Sequence, residues 1–144
     1  MKTIGWKEVI DLPDLGINGI PAKVDTGART SVLHCSHIQL IEKNGHQYVE
    51  FQALDERYGG AVPCALPFHS QRTIKNSFGQ EENRYIIRTT IFLFDQLYNI
   101  ELSLRDRSDM EFPLLLGRSF IRKRFLVDVS QAYLSKTHTI QTLS

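Results

Sequence analysis

The chain has 144 residues, 42% of them hydrophobic and 23% charged, with a formal net charge of +1 at pH 7. That length suits one domain over 1–144, long enough to bury a real core and short for two. The charge balance calls for neither nucleic acid nor an anionic membrane as partner, and two cysteines, Cys35 and Cys64, are too few for a disulfide framework.

Met1 to Glu8 hold no apolar core of signal-peptide length, and no later run approaches membrane-spanning length, so a cytoplasmic location is expected. Trp6 to Leu12 reads as a first strand, broken by Pro13 and Gly16. Asn18-Gly19 predicts a two-residue hairpin turn, whose returning strand, Ile20 to Val24, delivers Asp25. Ser31 to His34 and Ile38 to Ile41 are two short apolar pieces. Asn44-Gly45 predicts another hairpin turn, followed by the alternating strand Gln47 to Leu54. From Asp55 to Phe68, glycines and prolines predict a loop with at most a short strand.

Arg72 to Lys75 and Arg84 to Phe94 flank a polar tip, 76–83, and predict a long hairpin. Tyr98 to Leu104 alternates again, Arg105 to Met110 is a charged connection, and Phe112 to Arg118 is an apolar run closed by Gly117-Arg118. Ser119 to Lys123 predicts one or two helical turns with Ser119 as cap. Phe125 to Val129 and Ala132 to Leu134 read as closing strands. Many short strands with little helix predict an all-β, barrel-like fold.

The chemistry concentrates at Ala22-Lys23-Val24-Asp25-Thr26-Gly27-Ala28-Arg29-Thr30-Ser31. A strand ending at Val24 presents Asp25 from a turn, and Gly27 supplies room where a Cβ would crowd it. Asp25-Thr26-Gly27-Ala28 resembles the active-site signature of retropepsin-like aspartic peptidases, and Phe112 to Arg118 resembles the apolar-apolar-glycine strand that such enzymes carry beside the catalytic turn. The likeness extends through Trp6 to Val9, Leu12 to Ile17, Leu33-His34 and Arg105 to Arg118 to one bacterial family, labelled ATP-dependent zinc protease and described structurally as retropepsin-like. Ile74-Lys75-Asn76-Ser77-Phe78-Gly79 departs from that family's Val-Lys-Ser-Ser-Asn-Gly.

The resemblance implies a retropepsin-like acid-protease barrel lobe with one short helix near the C-terminus. It implies Asp25, Thr26 and Gly27 as catalytic, Ala28, Arg29, Ser77, Phe78 and Gly79 as substrate-binding, and Leu115, Leu116, Gly117 and Arg118 as support for the turn. Amide hydrolysis by carboxylates needs two that share a proton. Two charges ~4 Å apart repel by roughly 4 kcal/mol at an effective dielectric near 20, about three pKa units, so one proton is kept. With one Asp-Thr-Gly in the chain, a two-fold homodimer supplies the second carboxylate. The expectation is an aspartic-type peptidase acting on a peptide or isopeptide-like amide through an Asp25 dyad. A protein-tail substrate and a functional link to an ATP-grasp ligase follow from the resemblance alone. A non-catalytic peptide-binding module and a metal-dependent hydrolase are the alternatives.

No H-E-x-x-H and no G-x-x-x-x-G-K-[ST] occurs, against the zinc and ATP of the family label. On a strand, His34 and Ser36 face one way and Cys35 and His37 the other, so these do not converge as ligands. Neither metal nor cofactor is assigned. Within one chain, Asp106, Asp109 and Asp128 are the candidates for a second carboxylate, the first two read as a solvated loop and the third as facing solvent.

Overall fold

The structure, a computed structural model, describes residues 1–75, 78–106 and 110–135. Its strands are β1 (Lys2–Ile4), β2 (Lys7–Leu12), β3 (Ile17–Val24), β4 (Ser31–Lys43), β5 (His46–Ala53), β6 (Val62–Pro67), β7 (Ser70–Lys75), β8 (Glu81–Leu93), β9 (Gln96–Asp106), β10 (Leu114–Leu116) and β11 (Phe125–Val127). The α-helix, α1, is Arg118–Ile121. Among the described residues the fold is all-β with a short helix near the C-terminus, as expected. Among the described residues, no helix is long and apolar enough to cross a membrane.

Six strands close into a ring in the order β10-β3-β2-β8-β9-β4, because β10 pairs parallel with β3 and antiparallel with β4. β5 and β6 extend this sheet beyond β4, and β7 folds back on β8. Period-two patterning builds the interior: Ile10 and Leu12 of β2, Ile87 and Ile91 of β8, Ile100, Leu102 and Leu104 of β9, and Leu114 and Leu116 of β10 all point into one core. Each such side chain contributes roughly 1.5–3 kcal/mol by leaving water.

Asn18-Gly19 does not make the expected turn. The chain reverses earlier, in a 3₁₀ turn at Pro13–Leu15 that Gly16 ends at φ +67. Asn18 and Gly19 instead form a bulge inside β3 opposite Asp11: the register steps from Ile10↔Ile20 to Leu12↔Ile17, and the Gly19 N–H donates to Asp11 Oδ1 at 2.7 Å. Bulge and tight turn both draw on residues that accept positive φ, so the dipeptide alone does not separate them. Asn44 and Gly45, at φ +53 and +79, do make the β4–β5 turn.

Other expectations also change. The two pieces at 31–41 are one thirteen-residue strand with a bulge at His37, φ +53. The expected loop at 55–68 holds β6, whose prolines sit on a strand that pairs along β5 alone. Gly117, not Ser119, caps α1.

Ala132 to Leu134 is not a strand but part of a strap over the N-terminal corner, with Trp6 N–H bonded to Gln131 O (2.9 Å) and Tyr133 N–H to Lys7 O (2.9 Å). Gly5 permits this approach, since a Cβ there would overlap the Gln131 carbonyl. Fully buried Glu8 locks the strap, accepting from Gly5 N–H (2.8 Å), Ser135 N–H (2.9 Å) and Ser135 Oγ (2.8 Å). Glu8→Ala strands these buried donors and is expected to lower stability by about 3 kcal/mol, read as a lower urea midpoint with unchanged slope.

Candidate functional site

Asp25 leaves β3 where β10 ends. Its N–H donates to Leu116 O (2.9 Å), extending the parallel register Leu115↔Lys23 and Leu116↔Val24 by one bond. The Gly27 N–H donates to Asp25 Oδ1 (3.1 Å) and the Ala28 N–H to Asp25 O (3.2 Å), so the carboxylate folds its own turn. At Gly27 a Cβ would lie 3.3 Å from Asp25 Oδ1, crowding that turn.

The following residues are clamped to the far end of β10. Arg118 N–H donates to Ala28 O (2.8 Å), Ser119 N–H to Arg29 O (3.0 Å), and Gly117 N–H to Ser31 Oγ (2.9 Å). Arg118 Nη1 reaches Thr26 O (3.2 Å) and Gly27 O (3.0 Å), tying the tip of the turn from outside. A Cβ on Gly117 would stand 2.7 Å from the Thr30 carbonyl carbon, closer than packing allows, so the Leu-Leu-Gly ending is a steric requirement.

Asp25 lines a cleft of about 940 Å³ together with Gly27, Ala28, Arg29, Leu115 and Arg118. Arg72 and Lys75 of β7, Arg84 of β8 and Arg105 of β9 complete its cationic wall. Six cations therefore face the cleft against two carboxylates, Asp25 and Glu101. Burial pushes the Glu101 carboxyl up, but Arg72 (3.1 Å) and Arg88 (3.3 Å) outweigh that and hold it below the usual carboxylate range. His69 Nε2 also lies 3.3 Å from it. Glu82 takes Arg84 (3.0 Å) and Arg105 (3.6 Å). Arg72 and Arg84 stand directly opposite each other in the β7–β8 register, a like-charge pair that sheets disfavour.

The sequence-derived residues divide. The structure brings Asp25, Gly27, Ala28, Arg29, Leu115 and Arg118 to the cleft, with Leu116 and Gly117 behind the turn. Thr26 is exposed at the turn's tip. Phe78, 84% exposed, and Gly79, at φ +77, lie on the hairpin without lining the cleft, and Ser77 falls outside the described residues.

Asp106 ends β9, exposed, rather than lying in a loop; Asp109 is outside the described residues. Asp128 faces solvent in a turn, as expected, where Ser130 Oγ (2.6 Å), Ser130 N–H (2.9 Å) and Gln131 Nε2 (2.7 Å) bond its carboxylate and hold its pKa down. Buried His34 sits 3.6 Å from Asp55 Oδ2, which Arg57 also pairs, and burial pushes the Cys35 thiol up to about 12. Among the described residues no three His, Cys, Asp or Glu side chains converge as a metal site.

Residues missed from the sequence are the hairpin cations, Arg72, Lys75 and Arg84, with Arg105. Their signal was the crowding of basic residues into strands that flank the tip.

A closed barrel, an Asp-Thr-Gly turn at the end of one strand and a Leu-Leu-Gly strand bracing it define a retropepsin-like protein. A family model described as RimB-like, retropepsin-like aspartic endopeptidase RimB, matches residues 3–138, and the chain belongs to that family. A Legionella pneumophila protein of unknown function has a crystal structure with a TM-score of 0.79, 27% identity, and coverage of 93% of this chain and 98% of that one.

Relatives from Desulfotalea psychrophila (38% identical over 96% of this chain) and Shewanella pealeana (34% over 90%) are each named probable alpha-L-glutamate ligase. One from Parasynechococcus marenigrum (35% over 87%) carries the same name. The matched regions are 32%, 29% and 27% of those proteins, so the chain spans about a third of their length or less.

These names correct the expected function. Relatives this similar are named for joining glutamate, which points away from a peptidase working through an Asp25 dyad across a homodimer, and equally from the metal-dependent hydrolase of the zinc-protease label. The family description and the relatives' names are both those of enzymes.

The turn separates structure from chemistry. Asp25→Asn keeps an oxygen for the Gly27 N–H and is expected to change stability by under about 0.5 kcal/mol. Asp25→Ala loses that bond and is expected to cost about 1 kcal/mol. Thermal unfolding of the two variants beside wild type checks the difference.

Proposed function

We propose that this chain is the part of an α-L-glutamate ligase system that receives the acidic, glutamate-bearing chain, with the cleft beside Asp25 as its seat and a glutamate ligase as its functional partner. The observation that carries the reading is the cationic wall: Arg29, Arg72, Lys75, Arg84, Arg105 and Arg118 against Asp25 and Glu101, in a chain whose overall charge is only +1. Guanidinium groups pair carboxylates in a planar fork, which suits the side chains of successive glutamates. Arg118, held by backbone carbonyls, brings charge to the Asp25 turn without a carboxylate in those two bonds. The ligase names of relatives that align with 87–96% of this chain supply the chemical class of ligand.

Calorimetric titration of hexa-L-glutamate tests this. Hexaglutamate is expected to bind, more weakly at high salt because exposed ion pairs are screened beyond about 8 Å at physiological ionic strength, and hexalysine is expected not to. Lys75→Glu replaces attraction with repulsion and is expected to weaken binding about tenfold, or ~1.4 kcal/mol. No binding up to millimolar peptide, or equal binding of hexalysine, overturns the reading. The aspartic endopeptidase activity named for the family has its own readout in the same mixture: shorter glutamyl peptides whose appearance depends on Asp25.

A further inference from the structure

A second compartment of about 680 Å³ adjoins the cleft and shares Thr30, Arg72, Glu101 and Ser119 with it. Beyond the shared ridge, its walls come from Arg88, Thr89 and Thr90 of β8, Asn99 and Ile100 of β9, and Phe120 and Arg124 at and after α1. The cleft alone, at about 940 Å³, is already near the upper end of pockets that hold one small molecule, roughly 300–1,000 Å³. A single glutamate would leave most of the joined space empty.

The charge of the second compartment has the same sign as that of the first. Arg72, Arg88 and Arg124 face it against Asp14 and Glu101. Both carboxylates are already engaged: Asp14 Oδ2 accepts from Thr90 Oγ1 (3.1 Å), and Glu101 is held by Arg72, Arg88 and His69. Arg124 is fixed in place, donating to Phe120 O (2.8 Å) and lying 5.1 Å from the Phe120 ring centroid. Arg88, 67% exposed, projects from the rim. Hydroxyls of Thr30 and Ser119 on the shared ridge and the exposed Asn99 amide offer donors between these cations.

We infer that this compartment is a second anion subsite that takes glutamyl carboxylates of the same acidic chain after it crosses the Arg72–Glu101 ridge, so that the protein measures a run of acidic residues rather than one. The inference rests on the proposed acidic ligand and adds to it a place and a length requirement. Arg72 serves both compartments from the ridge, Arg88 and Arg124 serve the second, and Arg29, Lys75 and Arg118 serve the first.

The test compares tetra- and octa-L-glutamate by calorimetry on wild type, Arg88→Glu and Asn99→Glu. Both substitutions fall on exposed side chains, so folding is retained, and circular dichroism checks it. Wild type is expected to bind the longer peptide about tenfold more tightly, or ~1.4 kcal/mol, beyond the small statistical gain of a longer ligand. In either variant that increment is expected to fall to about twofold or less. An increment that survives both substitutions overturns the inference, because the added residues would then bind elsewhere. Inorganic phosphate at 10 mM that removes the increment in wild type also overturns it and reassigns the compartment to phosphate. Tetra- and octaglutamate binding equally well defeats this inference alone, whereas failure of both to bind defeats the proposed function with it.

Discussion

Everything at the site depends on one short strand. β10 is three residues long, yet it closes the barrel by pairing with β3 on one side and β4 on the other, and its last carbonyl receives the Asp25 N–H. The residue after it must be glycine, because the Thr30 carbonyl lies where a Cβ would go. One backbone segment thus shuts the core and sets the direction in which Asp25 leaves the sheet. Arg118 then fastens the outer side of the turn through two carbonyls. Fold stability and site geometry are coupled here through main-chain bonds, which are indifferent to the charge of the Asp25 side chain.

A second constraint runs against stability. Arg72 and Arg84 face each other across β7 and β8, and Arg84 is almost wholly buried. Leaving a guanidinium in such a place costs desolvation unless it is paired. Glu82 and Glu101 offset the repulsion, each holding more than one cation, but the cleft still carries more positive than negative groups. An excess of like charge along the wall of a cavity is the arrangement that an anionic ligand relieves. The hairpin's cations and the Asp25 turn come from distant parts of the chain, and the barrel's closure is what sets them facing one space.

The sequence carried the turn well, because it is local: Asp25, Thr26 and Gly27 fold on themselves. The brace, Leu114 to Leu116 followed by Gly117, showed as an apolar run, but its steric reason is tertiary, the Thr30 carbonyl lying where a Gly117 Cβ would go. All-β architecture was equally legible from alternation in β5 and β9 and from many short strands with little helix. What failed was punctuation. Asn18-Gly19 bulged instead of turning, while Asn44-Gly45 turned as expected, and the difference lies in whether Pro13 to Gly16 has already reversed the chain. Ala132 to Leu134, expected as a strand, belongs instead to a strap whose purpose is tertiary: it answers a buried Glu8 far away in sequence. The cationic wall was legible only in part for the same reason: basic residues crowd the strands that flank the tip, but nothing local says that Arg72, Arg105 and Arg118 share a space.

Function was misread at a different level. Asp-Thr-Gly describes how a carboxylate is presented, and presentation does not determine what is done with it. In this chain Asp25 lies among cations, and Glu101, the other carboxylate that lines the cleft, is bound to Arg72 and Arg88. An acidic pair sharing a proton needs two carboxylates pressed together away from neutralising charge. Six cations line this cleft against two carboxylates, an excess of positive charge that attracts anions. The same barrel can therefore keep the retropepsin turn intact while the residues around it set the ligand, and the wall of the cleft says more about what enters than the turn does.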